Sequence, residues 1–374
     1  MSIETRNRYL LGLDLVELTE LAHEIGEPDY RAQQLYEALY RQRLASLEEV
    51  TTLPRSVRER LQQRAVDVGQ PRIKKKVTAQ DGTVRYLMEF GDRQSVETVW
   101  MPEGDGGEAG DGSEAGDELE SESAAQGRRW RRATICLSSQ VGCAVDCQFC
   151  LTAQLGMRRN LTAGEMVGQV LVVLEDQGVA RERERINLVF MGMGEPFLNY
   201  ESFIKSVRLL AEGVGIAESR MTVSTAGVVP RIHDLGREPV RPKLAISINA
   251  SDDELRTRLM PINRKWNLEA LLAAAHEFPL RPRERLTFEY VLLEGVNDQP
   301  QHARELAERL RGLRAKVNLI ALNPGPGLAF VTPAEERVRE FQQVLIAAGL
   351  PTFVRRPRGR EIFAACGQLK RTVE

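Results

Sequence analysis

The sequence predicts an α/β fold in which a parallel sheet is closed, or partly closed, into a barrel. Seven strand-like runs follow one another from residue 133 onward, at 133–138, 186–191, 221–224, 243–248, 286–292, 317–322 and 351–354. Helical stretches separate most of them, at 163–177, 268–277, 302–310 and 334–348. Repeated strand–helix units place successive strands side by side in the same direction, which is the basis of this prediction. In such barrels the chemistry collects at the carboxyl ends of the strands.

A small helical domain and a β-hairpin are predicted before the barrel. Residues 14–64 show apolar positions at helical spacing among frequent charges. Two strand-like runs at 83–90 and 95–101, joined by Gly91-Asp-Arg93, indicate the hairpin. Glu97 stands in the second run among apolar or β-branched neighbours, so it either points toward an active site or is an exposed strand carboxylate. Six arginines of the helical part can as a group grip phosphate, although each singly is more often a solvated surface residue: Arg31, Arg41, Arg43, Arg55, Arg58 and Arg60.

The charge is distributed unevenly along the chain. The whole sequence has a net charge of −2, with 51 basic and 53 acidic residues. Residues 103–126 carry nine of the acidic side chains and no basic one, so 51 basic residues face 44 acidic residues elsewhere, a balance of +7. That segment is too polar to bury a core and is predicted to be a disordered loop. The mildly basic remainder is consistent with a nucleic-acid partner.

Composition and the amino terminus exclude several classes of protein. Hydrophobic residues make up 42% of the 374 residues, which is enough for a sizeable core. No apolar run approaches the length of a membrane span, and the first residues lack the basic and apolar regions of a secretory signal. We therefore expect a soluble, cytoplasmic protein with no membrane partner. Five cysteines in a chain of this length indicate reduced thiols rather than a disulfide framework.

Three cysteines directly after the first barrel strand have the spacing C-x3-C-x2-C, at Cys143, Cys147 and Cys150. Soft thiolates that are close in sequence can converge on one inorganic centre. A structural zinc site uses four protein ligands, whereas three cysteines leave one iron of a four-iron cluster open for a small molecule. A zinc site completed by Cys136 is the alternative that the local spacing leaves open.

Glycines, hydroxyls and amides follow the predicted strands at the points where they end. Met191-Gly-Met-Gly-Glu-Pro196 follows the second strand, and its glycines allow backbone to approach a ligand. Later strands lead into Ser224-Thr-Ala-Gly227, Ser247-Ile-Asn249, Asn297-Asp298 and Asn323-Pro-Gly-Pro-Gly327. A turn explains each of these singly, but the set predicts a polar ring suited to ribose, carboxylate and amine groups.

Two further cysteines stand alone in the sequence. Cys136 precedes the three-cysteine motif, and Cys366 lies in Ala364-Ala-Cys-Gly-Gln-Leu369 near the carboxyl terminus. A lone cysteine with small flanks is normally a small buried hydrophobe, yet small flanks also give a thiol steric access. The five cysteines thus divide into three candidate ligands and two candidate reactive thiols.

Taken together, these motifs resemble those of the radical SAM (S-adenosylmethionine) adenine-C2 methyltransferases of 23S rRNA and tRNA. The matching segments span about residues 95 to 370: Val96-Glu-Thr-Val99, Cys136-Leu-Ser-Ser-Gln-Val-Gly-Cys143, Cys147-Gln-Phe-Cys150, Met191-Gly-Met-Gly-Glu-Pro196, Asn318-Leu-Ile320, Asn323-Pro324 and Ala365-Cys-Gly-Gln-Leu369. The resemblance implies a partial (β/α)6 radical SAM barrel. It divides the chain into a helical RNA-binding accessory domain at 1–75, the hairpin with its acidic loop at 76–132, the barrel core at 133–365, and a tail at 366–374 that carries Cys366.

The resemblance also implies a mechanism that suits adenine C2, a carbon with no lone pair. One SAM first methylates Cys366, and a second SAM, cleaved at a 4Fe-4S cluster, yields a 5′-deoxyadenosyl radical. That radical takes a hydrogen from the new methyl group, and the resulting carbon radical adds to C2, which joins protein and RNA. Glu97 matches the proton acceptor, and attack of Cys136 on the Cys366 sulfur releases methylated RNA and leaves a disulfide. The implied cluster ligands are Cys143, Cys147 and Cys150.

The remaining implied contacts concern SAM and the partners. Asn249 stands where the family usually has His, a departure that matters if that side chain itself acts on SAM. The expected partners are 23S rRNA, tRNA and an electron donor such as flavodoxin or ferredoxin, and the chain is expected to be a monomer. The implied SAM-contacting positions are Gly194, Glu195, Ser224, Ser247, Ile248, Asn249 and Asn323.

Two other functions compete with this interpretation. The sister enzyme that methylates C8 of the same rRNA adenine shares the cysteines, although Pro196 and the run Asn318-Leu-Ile-Ala-Leu-Asn323 favour the C2 group. A non-catalytic, zinc-dependent RNA-binding protein is the alternative from a different class. It leaves the polar strand ends and Cys366 without an explanation.

Overall fold

The structure of this chain is a computed structural model that describes residues 8–102, 132–179 and 185–369. The acidic segment 103–126, predicted to be a disordered loop, lies outside the described residues, as does the end of the tail predicted at 366–374. No helix within these three ranges is both long enough and apolar enough to cross a membrane.

Short helices dominate the amino-terminal part, as the periodicity predicts. Helix α1 begins with a capping box, because the Asp14 side chain accepts a hydrogen bond from the Glu17 backbone N–H (3.0 Å) and the Glu17 side chain accepts one from the Asp14 backbone N–H (2.8 Å). Tyr40 fastens this part to the loop before α1, since its hydroxyl donates to the Leu13 carbonyl at 2.7 Å. The elements are β1 Arg8–Tyr9, α1 Leu15–Glu24, α2 Tyr30–Tyr36 with a π-helical extension Glu37–Arg41, α3 Arg55–Gln63 and β2 Val66–Asp67.

An antiparallel sheet of three strands follows: β3 Arg72–Thr78, β4 Val84–Glu89 and β5 Ser95–Pro102. Strands β4 and β5 are the two strands of the predicted hairpin. The sequence did not indicate β3, which crosses the domain boundary expected at residue 75. Its sequence, RIKKKVT, has no apolar alternation, because β3 is the edge strand of the sheet and is largely exposed. Lysines on such an edge hinder pairing with another chain.

Seven parallel strands form the barrel, and six strand–helix units connect them, so the predicted partial (β/α)6 fold is confirmed. All seven belong to one ten-stranded sheet, in which β5 pairs antiparallel with the first barrel strand. A separate two-stranded ribbon, β7 Gln140–Val141 with β8 Arg159–Asn160, flanks the cysteine motif. The barrel strands are β6 Arg132–Cys136, β9 Arg185–Phe190, β10 Met221–Thr225, β11 Lys243–Ser247, β12 Leu286–Leu292, β13 Ala315–Ala321 and β14 Thr352–Val354.

The connecting helices cover the outside of the sheet with apolar side chains. Helix α4 is buried on nearly all sides and starts with a second capping box, between Thr162 and Glu165. Four of the helices lie at the predicted positions, namely α4, α8, α9 and α10. The helices are α4 Ala163–Asp176, α5 Tyr200–Arg208 with a π-helical extension Leu209–Val214, α6 Val229–Arg237, α7 Asp253–Leu259, α8 Leu268–Glu277, α9 Pro300–Arg309 and α10 Glu335–Ala347.

The register of the strands decides which side chains face the inside of the barrel. Cys136 lies opposite Val99 on one side and Val189 on the other, and Glu289 lies between Ser247 and Asn318. Because side chains alternate along a strand, these paired residues point to the same face of the sheet. That face surrounds a cavity lined by residues of β5, β6 and β9 to β13.

The chain after β14 bridges the gap in the partial barrel. The Gly359 backbone N–H donates to the Asp81 carboxylate at 3.2 Å, and the Glu361 carboxylate accepts from the Gln80 backbone N–H at 3.0 Å. Both partners lie in the turn between β3 and β4. The segment that leads to Cys366 is therefore tied to the opposite edge of the sheet.

A buried ion pair joins the segments that lead into β11 and β12 and gives a test of the fold. Arg241 and Glu284 form two hydrogen bonds, at 2.8 and 2.9 Å, and their side chains are 4% and 5% exposed. Glu284→Ala leaves the guanidinium buried without its carboxylate, so we expect the free energy of unfolding to fall by about 3–5 kcal/mol. Urea denaturation measures the change. The control is Glu59→Ala, which breaks an exposed pair with Arg55 and is expected to cost about 0–1 kcal/mol.

The same pair predicts how the destabilisation depends on pH. Burial raises the pKa of Glu284, but the hydrogen bonds from Arg241 and from the Arg281 backbone N–H outweigh burial, and the net pKa is below its ordinary value. A carboxyl with a lowered folded pKa stabilises the protein fully above its unfolded pKa, about 4.3. Its contribution is lost as the pH falls from there through the folded pKa. Equal losses for Glu284→Ala at neutral and at strongly acidic pH would contradict this account.

Candidate active site

The three-cysteine motif forms a loop between β7 and β8, and the first residue of this loop, Gly142, has a backbone conformation and surroundings that only glycine fits. Gly142 has φ +83°, and a Cβ on it would stand 1.7 Å from the Gly156 carbonyl oxygen. A side chain at this position would push apart the two ends of the loop. Cys143, Cys147 and Cys150 are free and half-buried.

The three thiols lie within electrostatic reach of one another in an apolar surrounding. Burial raises the pKa of Cys143 to about 12, and it raises that of Cys147 well above its ordinary value. Cys150 adds to both shifts, because a second negative charge nearby opposes ionisation. The apolar shell that touches Cys143 and Cys147 contains Val145, Phe149, Ala226, Ala250, Leu255, Leu259, Met260, Leu293 and Leu322.

This donor set fits an iron–sulfur cluster. Three unpaired soft thiols in a dry shell need a positively charged partner before they ionise, and iron supplies that charge. In the described part of the chain, no three His, Cys, Asp or Glu side chains are close enough together to hold one metal ion. A four-iron cluster binds each cysteine at a different iron, so its ligands stand farther apart than those of a single ion.

One large cavity inside the barrel contains a cysteine of the loop and both lone cysteines. Its volume is about 1310 Å³ including the open mouth, and Cys136, Cys150 and Cys366 all line it. Cys136 ends β6 and is 8% exposed, whereas Cys366 is exposed.

The carboxyl-terminal segment is held against the cysteine loop by hydrogen bonds. The Gly367 carbonyl accepts from the Leu151 backbone N–H at 2.8 Å, and the Leu369 carbonyl accepts from the Thr152 hydroxyl at 2.7 Å. The side-chain amide of Asn323 donates to the Cys366 carbonyl at 3.2 Å. These contacts fix Cys366 between the cysteine loop and the carboxyl end of β13.

The two lone thiols lie close enough for Cys366 to shift the pKa of Cys136, and they differ in exposure. Burial raises the pKa of Cys136 far above its ordinary value, and the nearby Cys366 and Glu289 raise it further. The pKa of Cys366 is also raised, first by desolvation of its sulfur within the cavity and then by the charge of Glu289. Each thiol is therefore neutral unless a base takes its proton.

Three of the predicted SAM positions present polar atoms inside the barrel. Ser224 and Ser247 stand on adjacent strands with their hydroxyl oxygens 3.2 Å apart. Asn323 lines the cavity, and its Oδ1 is buried and has no hydrogen-bond partner among the described residues. A buried amide oxygen without a partner marks a place for a ligand donor. These groups suit the amine and ribose groups of SAM.

The other predicted SAM positions are three residues with buried side chains and one glycine. The carboxylate of Glu195 accepts hydrogen bonds from the Ala226 (2.7 Å) and Phe197 (3.1 Å) backbone N–H groups, and burial raises its pKa to about 7. Asn249, at φ +54°, accepts a bond from the Val291 N–H at 2.8 Å. Ile248 is fully buried. Gly194, at φ +99°, lies so close to Gln140 that a Cβ would meet that side chain at 2.5 Å. These four can reach a ligand through backbone more readily than through side chains.

Glu97 lies on β5 and pairs with a buried arginine. Its carboxylate is 3.1 Å from Arg85 on β4, and the two side chains are 1% and 8% exposed. Glu97 points to the same face of the sheet as Val99, which stands opposite Cys136. The alternative of an exposed strand carboxylate is therefore not what the structure shows, because the Glu97 side chain is buried.

The structure adds two charged residues that sequence reasoning missed. Glu289 and Arg355 both line the cavity, with 3.8 Å between the Arg355 guanidinium and the Glu289 carboxylate. A carboxylate within the apolar run Leu286–Leu292 was the available signal for Glu289, the same signal that drew attention to Glu97. Arg355 belongs to a basic run and gave no signal of its own.

Comparisons with known proteins agree with this site. The family model of the Radical SAM superfamily matches residues 137–307, and that of the ribosomal RNA large subunit methyltransferase N-terminal domain matches residues 9–66. A probable dual-specificity RNA methyltransferase RlmN of Koribacter versatilis (strain Ellin345) is 64% identical over 348 residues, which cover 93% of this chain and 97% of the relative. The dual-specificity RNA methyltransferase RlmN of Syntrophobacter fumaroxidans (strain DSM 10017 / MPOB) is 46% identical over 359 residues, 95% of this chain and 96% of the relative. The crystal structure of a radical SAM methyltransferase from Sphaerobacter thermophilus, 42% identical, superposes with a TM-score of 0.86 and covers 98% of this chain and 100% of that chain.

A partial barrel with a three-cysteine loop at the carboxyl edge of its sheet defines a radical SAM enzyme, which uses a 4Fe-4S cluster and SAM. Within that class, the chain belongs to the RlmN family of dual-specificity RNA methyltransferases.

The entry to the cysteine loop provides a test of cluster binding. Gly142→Ala is expected to reduce the iron bound after anaerobic reconstitution from about four per chain to less than half of that. The reason is the added Cβ, which overlaps the Gly156 carbonyl oxygen. The control is Gly178→Ala, since Gly178 also has a positive φ, +62°, but an added Cβ there meets nothing within 4 Å. Both variants carry a backbone strain of about 1–2 kcal/mol, so equal iron contents would contradict the role given to the steric overlap.

Proposed function

We propose that this chain methylates C2 of adenine in 23S rRNA and in tRNA through a methylated cysteine and a covalent protein–RNA intermediate. The observation that carries the proposal is the single cavity shared by Cys136, Cys150 and Cys366. The relatives named dual-specificity RNA methyltransferases support RNA as the substrate. Their names also favour this function over C8 methylation and over a zinc-dependent binding protein.

The proposed cluster ligands are the three cysteines of the loop, Cys143, Cys147 and Cys150. When bound, the cluster supplies the electron that cleaves SAM to methionine and a 5′-deoxyadenosyl radical. The apolar shell around the loop limits the access of water to this site. Ser224, Ser247 and Asn323 are proposed to contact SAM through side chains. Gly194, Glu195, Ile248 and Asn249 are proposed to shape its pocket through the backbone that they hold.

Depth in the cavity separates the roles proposed for the two lone cysteines. Cys366 lies on an exposed turn, where its sulfur can accept a methyl group from SAM and then approach a base. Cys136 is buried at the end of β6, which protects it from methylation. Once the methylene radical on Cys366 has added to C2, Glu97 takes the C2 proton, and the unpaired electron would return to the oxidised cluster, which leaves a closed-shell thioether. Attack of Cys136 on the Cys366 sulfur then releases the methylated RNA.

The amino-terminal helices are proposed to bind RNA phosphates. All six arginines named for this role contact protein: Arg55 pairs with Glu59 at 2.7 Å, for example, and Arg43 donates to the Val179 carbonyl at 3.1 Å. Arg55 is 86% exposed and is well placed to exchange its partner for a phosphate.

We further propose the four-part division at residues 75, 132 and 365, a monomeric enzyme in the cytoplasm, and an electron donor of the flavodoxin or ferredoxin type.

Two cysteine variants test the mechanism on one denaturing gel. Cys366→Ala lacks the carbon carrier, so we expect free protein and no methylated RNA. Cys136→Ala retains methyl transfer and addition to adenine but has no thiol to break the link, so we expect a protein–RNA conjugate. Two active variants, or a conjugate with Cys366→Ala, would end this mechanism.

Mapping the product decides the position of the methyl group. Mass analysis of nucleosides from treated 23S rRNA and tRNA is expected to give 2-methyladenosine from both substrates. An 8-methyl product would contradict the proposal and support C8 methylation. A zinc content of about one per chain, with no iron–sulfur absorbance, would contradict it and support a zinc-dependent RNA-binding protein.

A further inference from the structure

Glu289 is a buried carboxylate inside the catalytic cavity that the mechanism described above does not use. It stands on β12, is 8% exposed, and lines the cavity together with Cys136 and Cys366. The Ser224 hydroxyl donates to its Oε2 at 3.4 Å, and the Arg355 guanidinium is 3.8 Å from its Oε1. It raises the pKa of both thiols, so its charge lies within electrostatic reach of both.

The contacts of Glu289 are long for a carboxylate kept buried for structural reasons. Removing a carboxylate from water costs several kcal/mol unless close partners compensate it. Arg241 and Glu284 show such compensation, with two bonds of 2.8 and 2.9 Å. The two contacts of Glu289, at 3.4 and 3.8 Å, are longer than these bonds. Charged groups on the same face of the sheet or lining the same cavity include Lys243, Lys316, Arg132, Arg185, Arg220, Arg355, Arg356 and Arg358, together with Glu97 and its partner Arg85.

The last step of the proposed reaction needs a base at this place. Cys136 must remain a neutral thiol while Cys366 is methylated, because an ionised Cys136 would compete for SAM. It must then lose its proton at the moment when it attacks the Cys366 sulfur, since the thiolate is the nucleophile. Burial keeps the thiol neutral until then, and a carboxylate in the same cavity can accept the proton during attack.

We propose that Glu289 is the general base that takes the thiol proton of Cys136 and returns it to the product methyl group. The Cys136 Sγ–Cys366 Sγ bond forms, and the bond from Cys366 Sγ to the methylene carbon breaks. The electron pair of the broken bond stays on that carbon, which then takes the proton from Glu289. The two sulfurs are oxidised to a disulfide as the carbon is reduced to methyl, so no other redox partner is needed. This inference rests on the proposed function.

Glu97 is another carboxylate on this face of the sheet, and its surroundings suit a different step. Its carboxylate is 3.1 Å from Arg85, it is 1% exposed, and it does not line the cavity with the two thiols. Arg85 thus holds it closer than Arg355 holds Glu289. Glu97 remains the proposed acceptor of the C2 proton, whereas Glu289 is the proposed base for the Cys136 thiol.

The test compares Glu289→Gln with Cys136→Ala in the RNA methylation assay. Glu289→Gln keeps the shape of the side chain but cannot take a proton. We expect normal methylation of Cys366, accumulation of the protein–RNA conjugate, and release of product about 100-fold slower than in the unsubstituted enzyme. The control is Glu294→Gln, which removes the same charge from an exposed position just after β12 and should release product at the normal rate.

A pH series separates lost base catalysis from a damaged structure. Without Glu289, release depends on spontaneous ionisation of Cys136, so its rate should rise about tenfold per pH unit in alkaline buffer. Conjugate made with Cys136→Ala should persist at every pH. The double variant Cys136→Ala with Glu289→Gln should form as much conjugate as Cys136→Ala alone, because both changes block the same step.

The outcomes distinguish the two levels of the proposal. If Cys136→Ala forms no conjugate, the proposed function itself is contradicted. If that conjugate forms but Glu289→Gln releases RNA at the normal rate, only the role of Glu289 fails. Loss of Cys366 methylation in Glu289→Gln, or less conjugate in the double variant, would show that Glu289 acts earlier or supports the structure, and would overturn the inference.

Discussion

The active site depends on the hydrogen bonds that hold the carboxyl-terminal segment against the cysteine loop. Thr152 and Leu369 are 217 positions apart in the chain, yet the hydroxyl of one donates to the carbonyl of the other. Together with the bond from Leu151 to Gly367, this contact places the Cys366 thiol in the cavity that also contains Cys150. Without these hydrogen bonds, the segment that carries Cys366 would not be held at the cysteine loop. A carbon carried on the Cys366 sulfur would then have no fixed distance to the cluster.

Burial then gives two chemically identical side chains different tasks. Cys136 ends a strand in the middle of the sheet, where desolvation holds the thiol neutral. Cys366 lies on an exposed turn that passes through Gly367 at φ +80°. The order of events in the proposed reaction follows from this difference, because the accessible sulfur meets SAM first and the buried one acts only when the intermediate reaches it.

A second layer of buried polar groups fixes the strand ends that face SAM. The guanidinium of Arg256, on α7, donates to the carbonyls of Ile248 (3.1 Å), Ala226 (2.7 Å) and Ser247 (3.2 Å). Burial lowers its pKa to about 10, which still leaves it charged at neutral pH. Glu195 binds the Ala226 N–H from the other side. The loops after β9, β10 and β11 are thereby joined to one another, and they or the strand ends before them carry every predicted SAM position except Asn323.

Local patterns in the sequence determined the fold class, the cysteine loop and the position of each barrel strand. The period of apolar residues and the spacing of the three cysteines are properties of short segments, so they can be read without knowing which segments meet. The hairpin strands, the seven barrel strands and four helices therefore appear close to where they were predicted. Strand β3 was missed because an exposed edge strand has no apolar alternation. The predicted site residues stay predictions, although the structure shows where each of them lies.

Only the tertiary structure decided what the side chains of the site face. Strand register put Glu289 beside Ser247 and Asn318 on the inner face of the sheet. A register shifted by one residue would have turned its side chain to the outer face, where the helices pack. The positive φ of Asn249 turned its amide toward the Val291 N–H. Hydrogen bonds from the Leu151 backbone N–H and the Thr152 hydroxyl to the carbonyls of Gly367 and Leu369 brought Cys366 to the cavity. Register, backbone angle and long-range closure depend on partners distant in the chain, which is why no short stretch of sequence could reveal them.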